Sequence, residues 1–267
     1  FIDLQLRAAD YSINGFRNNP GLQVKNNYLF LNPKAGITYS KNKTHVYFSY
    51  AHAGKEPNRD DFEAGANTKP RAEMLHDFEA GIEHKNKKTG WSIGFYYMLY
   101  RNQLVLTGKI NDVGAYTRTN IPNSYRAGLE LQGSHIFNKW LSVNGNISFS
   151  ENKIKNFTEY IDDYDNGEQQ TKFYKKTDIS FSPATVSAAS INILPAKNTE
   201  INITGKYVGR QYLDNTSQRS RSLKDYYVQD LRVSYEFRHS NFKSLLVFVK
   251  ASNIFSAKYE ANGYSFS

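Results

Sequence analysis

The chain has 267 residues, no cysteine, 20 Tyr, 17 Phe and 2 Trp, and a formal net charge of +9. The missing cysteines exclude a disulfide framework and zinc–thiolate sites, and no run of about 18 apolar residues is present, which excludes a transmembrane helix but not a transmembrane strand. The lysines fall in short turns, as in Lys85–Lys88, and not along one helix or groove, so the basic balance does not carry the footprint of a nucleic-acid binder.

In chain order, period-two segments follow one another. In "THVYFSYAHAGK" Val46, Phe48 and Tyr50 share one face, and His45, Tyr47 and Ser49 share the other. "HDFEAGIEHK" sets Phe78, Ala80 and Ile82 against Asp77, Glu79 and Glu83, and "GWSIGFYYML" offers Trp91, Ile93, Phe95, Tyr97 and Leu99. "LSVNGNISFS", "EINITGKYVG" and "VQDLRVSYEF" repeat the alternation around Leu141, Ile201, Ile203, Leu231 and Val233. About eleven such segments have the ~10-residue length that a tilted barrel strand requires.

Short polar turns are expected at Ser40–Thr44, His84–Gly90, Phe137–Trp140, Pro195–Asn198 and Arg238–Lys243. Long connections are expected at about 13–30, 53–72, 105–122, 157–178 and 211–223. Long and short alternate, as the extracellular loops and periplasmic turns of an outer-membrane barrel do. Tyr50, Trp91, Tyr100, Trp140, Tyr207 and Tyr235 fit interfacial girdles. Gly145, Gly205, Ala80 and Ala127 put small residues on faces where a packed core wants bulk. These features favour a membrane barrel over the alternative, a soluble β-sandwich binding glycans or another protein.

Several longer stretches then resemble one family. "FLNPKAGITYS" (Phe30–Ser40), "YAHAGKEPNRDDF" (Tyr50–Phe62) and the run from Arg101 to Gly133 come first. The run from Gly205 to Tyr235 and "ASNIFSAKYEANGYSFS" (Ala251–Ser267) complete the order. Together they resemble the C-terminal barrel of TonB-dependent outer-membrane receptors of the Bacteroidetes type.

The resemblance implies an all-β, antiparallel, up-and-down transmembrane barrel of 22 strands, of which residues 1–267 would supply about eleven. It implies a plug domain and a final strand outside this chain, with "NIFSAKYE" (Asn253–Glu260) as the strand before that last one. It also implies an outer-membrane location, a lipid surround, energy from TonB through the plug, and uptake of a scarce ligand. A ferric siderophore is the expected cargo, with haem, cobalamin or an oligosaccharide as alternatives.

Catalysis is not expected. Glu56, Asp60 and Asp61 lack a partner nucleophile, and HExxH does not occur. "DDYDNGE" (Asp162–Glu168) fails the calcium-loop pattern in either register. His45 and His52 lie seven apart and so on opposite faces, with His52 the one candidate for haem. No resident cofactor or metal is expected. Ligand binding fits the loops better. Glu56, Asn58, Arg59 and Asp60 read as a structured rim, Pro57 setting the turn and Arg59 paired to the acids. Tyr116, Arg118, Arg210 and Tyr212, with Arg219 and Arg221 beside them, offer flat rings and bidentate donors to carboxylate or catecholate oxygens.

Overall fold

The computed structural model describes residues 1–16, 19–63, 70–110, 116–163, 168–239 and 242–264. Strands β1 (Ile2–Phe16), β2 (Asn19–Lys41) and β3 (Thr44–Lys55) lead to a short helix, α1 (Arg59–Glu63). Strands β4 (Glu73–Lys85), β5 (Thr89–Ile110), β6 (Tyr116–Ile136), β7 (Leu141–Asp163) and β8 (Glu168–Asp178) follow. Next come β9 (Thr185–Ala196), β10 (Thr199–Val208) and the two-residue β11 (Gln211–Tyr212). A 3-10 turn (Arg219–Arg221), β12 (Ser222–Leu223), β13 (Tyr226–His239) and β14 (Phe242–Ala251) complete the order.

One antiparallel sheet runs β1-β2-β3-β4-β5-β6-β7-β9-β10-β13-β14, with β8 pairing the upper part of β7 and β11–β12 forming a separate two-stranded ladder. Neighbours in sequence are neighbours in space along nearly the whole path, as up-and-down topology requires. The eleven-strand path agrees with the number of segments read from the sequence.

Register fixes two faces. Ile37, Phe48, Ala80, Phe95, Leu129, Phe149 and Thr185 line up across seven strands on one side. That side is apolar yet uncovered, with Leu29 at 69%, Ile37 at 70% and Phe95 at 56% exposure. Leu141, Ile201, Ile203, Leu231 and Val233 belong to the same face. Among the described residues no second sheet packs against it, so the sandwich reading fails. An exposed apolar band this wide is stable only where the surrounding solvent is lipid. Of the expected girdle residues, Tyr100 is the exception. It pairs with Leu75 and Ser124 on the inner face, one residue out of phase with Leu99.

The inner face is polar: Asp77, Glu79, Glu130 and Arg126 stand beside Tyr47 and Tyr96. Here glycine makes room for rings. A Cβ at Gly128 would lie 2.5 Å from the Tyr96 ring, so the tyrosine lies flat along the wall only because residue 128 has no side chain.

Three of the expected long loops are strand instead. Much of 13–30, 105–122 and 157–178 lies within β1, β2, β5, β6, β7 and β8. β2 and β7 have 23 residues each, against the ~9–11 needed to cross a bilayer. At ~3.3 Å per residue these strands reach about 75 Å and project far beyond the membrane. Above the lipid neither face meets hydrocarbon, so the period-two signal fades while the backbone ladder continues. One expected strand is absent. Asn253–Glu260 forms none, because Asn253 takes a left-handed conformation (φ 52°) and its side chain bonds the backbone of Ala257, closing a turn. Of the failed calcium-loop segment, Asp162–Glu168, residues 164–167 lie outside the described residues.

Candidate ligand-binding mouth

The buried apolar residues gather at the end of the sheet away from the short turns. Val105, Ile121, Ile154 and Ile179 form one cluster, and Ile13, Phe16 and Phe62 another. Both hold polypeptide folded over the inner face.

The first such segment is α1. Asn58 caps it reciprocally: the Asp61 N–H donates to Asn58 Oδ1 at 3.0 Å, and the Asn58 N–H donates to Asp61 Oδ2 at 2.8 Å. Phe62 packs on Ile13 and stacks on Tyr11 with centroids 5.4 Å apart. On the far side Asp61 Oδ1 meets Arg118 Nε at 2.9 Å, with only 2% of the Asp61 side chain exposed. The helix thus spans from β1 to β6, across four intervening strands, on the concave side of the sheet. Burial pushes the Asp61 carboxyl above the ordinary carboxylate range, against the pull of the Asn58 N–H and Arg118.

The rim acids do not pair with Arg59, as the sequence reading expected. Both Glu56 oxygens are taken by the two Arg7 Nη donors, one of them at 2.7 Å, so this carboxylate is a strut between β1 and the loop. Arg7 holds the Glu56 carboxyl below the ordinary range. The Arg59 guanidinium lies instead over the Phe16 ring, 5.3 Å from its centroid. The reason is geometric: α1 points Asp61 inward to Arg118 and leaves Arg59 and Asp60 on its exposed side.

The second segment is the connection from β10 to β13. Its β11–β12 ladder pairs Tyr212 with Ser222, and Arg210 donates to Ser222 Oγ at 2.8 Å. Arg221 Nη1 stands 2.7 Å from Glu159 Oε1 and 3.0 Å from Asp214 Oδ2, so it clamps the loop to β7 and does not project as a free ligand donor. Asn215, 1% exposed, donates to the Leu106 carbonyl at 2.7 Å and accepts from the Ser180 N–H at 2.9 Å. A bond from this loop to β5, with β6, β7 and β9 between, again requires passage over the concave side.

Between α1 and the connection from β8 to β9 opens a cavity of about 500 Å³. Asp60, Arg118, Arg126, Gln103, Ser180 and Ser182 supply its polar lining, and Val105, Leu106 and Ile179 its apolar floor. Arg126 Nη1 donates to Asn152 Oδ1 at 3.2 Å and to Ser182 Oγ at 3.0 Å. Ser124 donates to Gln103 Oε1 at 2.6 Å. Two guanidinium groups therefore face one partly apolar chamber.

Of the residues picked from the sequence, the cavity joins Asp60 and Arg118. Glu56, Asn58 and Arg59 organise the rim beside it, and Arg210 and Tyr212 sit within the second segment. The Tyr116 side chain lies outside the described residues. Sequence reasoning missed Gln103, Arg126, Ser180 and Ser182. Arg126 carried a usable signal, a cation at an inward position of an alternating strand. His52 pairs with His76 on the outward face, rings 4.5 Å apart, which removes it as a lumenal haem ligand. Among the described residues no group of three or more His, Asp or Glu is placed to hold a metal.

The family described as "TonB dependent receptor-like, beta-barrel" matches residues 2–254. The fold is shared with the siderophore receptor PiuA from Acinetobacter baumannii, at TM-score 0.74 and 16% identity over 98% of this chain and 38% of that one. The ferric-catecholate import receptor Fiu from E. coli K12 gives 0.66 and 14%, covering 98% and 38%. The ferric yersiniabactin uptake receptor FyuA from Yersinia pestis gives 0.63 and 17%, covering 100% and 38%. The chain thus spans under two fifths of each of these solved receptors. A search of curated proteins returns no match. With a lipid-facing band, a polar inner wall and a family match over nearly its whole length, this chain belongs to the TonB-dependent receptor-like β-barrel family, whose barrels lie in the outer membrane and serve transport, not catalysis.

Proposed function

We propose that this chain forms wall and extracellular mouth of an outer-membrane transporter that takes up a ferric siderophore. The observation that carries the reading is the mouth cavity, in which Arg118 and Arg126 face a chamber with hydroxyl donors and an aliphatic floor. A ferric catecholate or carboxylate chelate presents negative oxygens around a bulky, partly apolar body. Two guanidinium groups give such an anion charge-assisted hydrogen bonds, and Val105, Leu106 and Ile179 receive its apolar surface. The energising partner would be TonB, reached through a plug domain. PiuA, Fiu and FyuA, by their descriptions receptors for siderophores or ferric chelates, agree with this cargo class.

The test uses the intact receptor. Arg126→Ala, and Arg118→Ala combined with Asp61→Asn so that no buried acid is stranded, should each weaken binding of an anionic ferric siderophore about 10- to 100-fold, the range of one charged hydrogen-bonding partner. Growth of a receptor-deficient strain on that iron source should return with the wild-type gene and not with the combined variant. Full rescue by the combined variant, or rescue by none of a panel of iron chelates, would sink the proposal.

A further inference from the structure

The outward face carries a feature that uptake does not use. Above the apolar band, β5, β6, β7 and β8 place Arg101, Asn123, Lys155 and Lys176 in one register row, with Leu99, Tyr125, Lys153 and Asp178 in the row beneath. Glu151 lies one row lower, opposite Ala127. Two of the cations are neutralised: Lys153 pairs with Asp178 and Lys176 with Glu151, each at 2.6 Å. Arg101 and Lys155 are exposed and have no ion-pair partner among the described residues, so the patch keeps a surplus of two positive charges. The ammonium groups of Lys155 and Lys176 converge over the Tyr125 ring, 5.6 and 5.5 Å from its centroid.

The height of this patch decides what it meets. Arg101 stands about a dozen residues along β5 from the short turn at Thr89, and Lys153 about a dozen along β7 from Leu141, whereas ~9–11 residues cross the hydrocarbon. The cations therefore emerge just beyond the acyl region, in the headgroup layer. A cavity of about 280 Å³ opens there, lined by Arg101, Lys155, Tyr125, Asn123 and Leu99. Its lower lip, Leu99, continues into Tyr97 and Phe95 of the lipid-facing band. Cations above, a flat ring between them and an aliphatic groove below match a phosphorylated headgroup with its acyl chains.

We propose that this outward cavity is a docking site for the phosphate-bearing headgroup of an outer-leaflet lipid, with Arg101 and Lys155 binding the phosphate and Tyr125 supporting the sugar or glycerol. Arg offers a bidentate fork to phosphate oxygens and Lys a compact point charge. Each such cation near a membrane surface adds a measurable increment to binding of an anionic lipid, and the increments act together within one Debye length. The site lies on the opposite face from the mouth cavity and stands whatever the transported cargo proves to be.

The experiment is native mass spectrometry of the intact receptor in detergent. It is titrated in turn with diphosphoryl lipid A, its dephosphorylated form and inorganic phosphate. Wild type should retain the diphosphorylated lipid at least 10-fold more tightly than the dephosphorylated one. Arg101→Ser with Lys155→Ser should weaken it about 30-fold, as expected for two surface cations. Arg101→Lys with Lys155→Arg keeps both charges and should bind within a few fold of wild type, which separates lost charge from lost folding. Equal retention of both lipid forms, or wild-type retention by the serine pair, overturns the assignment. Inorganic phosphate binding as tightly as the lipid overturns it too, since the site would then serve a free anion.

Discussion

Replacing Arg221 by Met should unlatch the β10–β13 connection while leaving the sheet intact. Arg221 is the shared counter-charge of two carboxylates, Glu159 and Asp214, whose side chains are 8% and 7% exposed. Breaking a buried pair by deleting one partner costs about 3–5 kcal/mol, because a charge is left uncompensated. Here the acids keep some help. Tyr174 still donates to Glu159 at 2.7 Å, and Thr216 Oγ1 to Asp214 at 2.6 Å. Each remaining bond offsets part of the penalty, which places the loss near the low end, about 3 kcal/mol. That is about a 150-fold rise in the open population of the loop.

Hydrogen exchange on the intact receptor reads this directly. Amides of Leu213–Leu223 should lose about two orders of magnitude of protection, and those of β9, β10 and β13 should not change. The triple variant Arg221→Met, Glu159→Gln, Asp214→Asn should recover most of the protection, because no stranded charge remains. Unchanged protection in the single variant, or equal loss throughout the sheet, would show that the clamp does not hold the loop as reasoned.

Phe95→Arg, about midway up the lipid-facing band, should destabilise the folded receptor in bilayers by about 2–4 kcal/mol in a denaturant titration, and a neutral result would show that Phe95 does not face hydrocarbon. Gly128→Ala should cost about 1–3 kcal/mol in the same titration, since the new Cβ drives the Tyr96 ring off the wall. Glu56→Gln should abolish an acid-induced loosening of Lys55–Glu63: the folded carboxyl lies below its unfolded value, so the strut stabilises fully above the unfolded pKa and fails as pH falls through the lower, folded one. Exchange rates across that pH window, compared between wild type and variant, check the sign. Asn215→Ala removes two bonds at a 1% exposed site and should cost the loop about 1–3 kcal/mol, seen as faster exchange near Leu106 and Ser180 as well as within the loop.

Within the membrane the alternation of Phe48, Ala80, Phe95 and Leu129 with neighbours such as Ser49, Glu79 and Glu130 determined the strands, their faces and the short turns. A strand between lipid and water writes its orientation into every second residue, so no tertiary contact is needed to read it. Above the lipid that constraint is gone. β1, β2, β5, β6, β7 and β8 continue as ladders of backbone hydrogen bonds that polar sequence neither announces nor forbids. Asn253 closed a turn where a strand was expected, because its side chain competes locally with the ladder. The mouth depended still more on assembly. Arg118 takes the acid that Arg59 was expected to take, Arg221 clamps a loop where it was read as a ligand donor, and Arg126 enters the cavity from inside a strand. Each outcome turns on which strands stand opposite α1 and the β10–β13 connection across the concave face. That is a relation between residues up to 109 positions apart, and only the tertiary structure sets it.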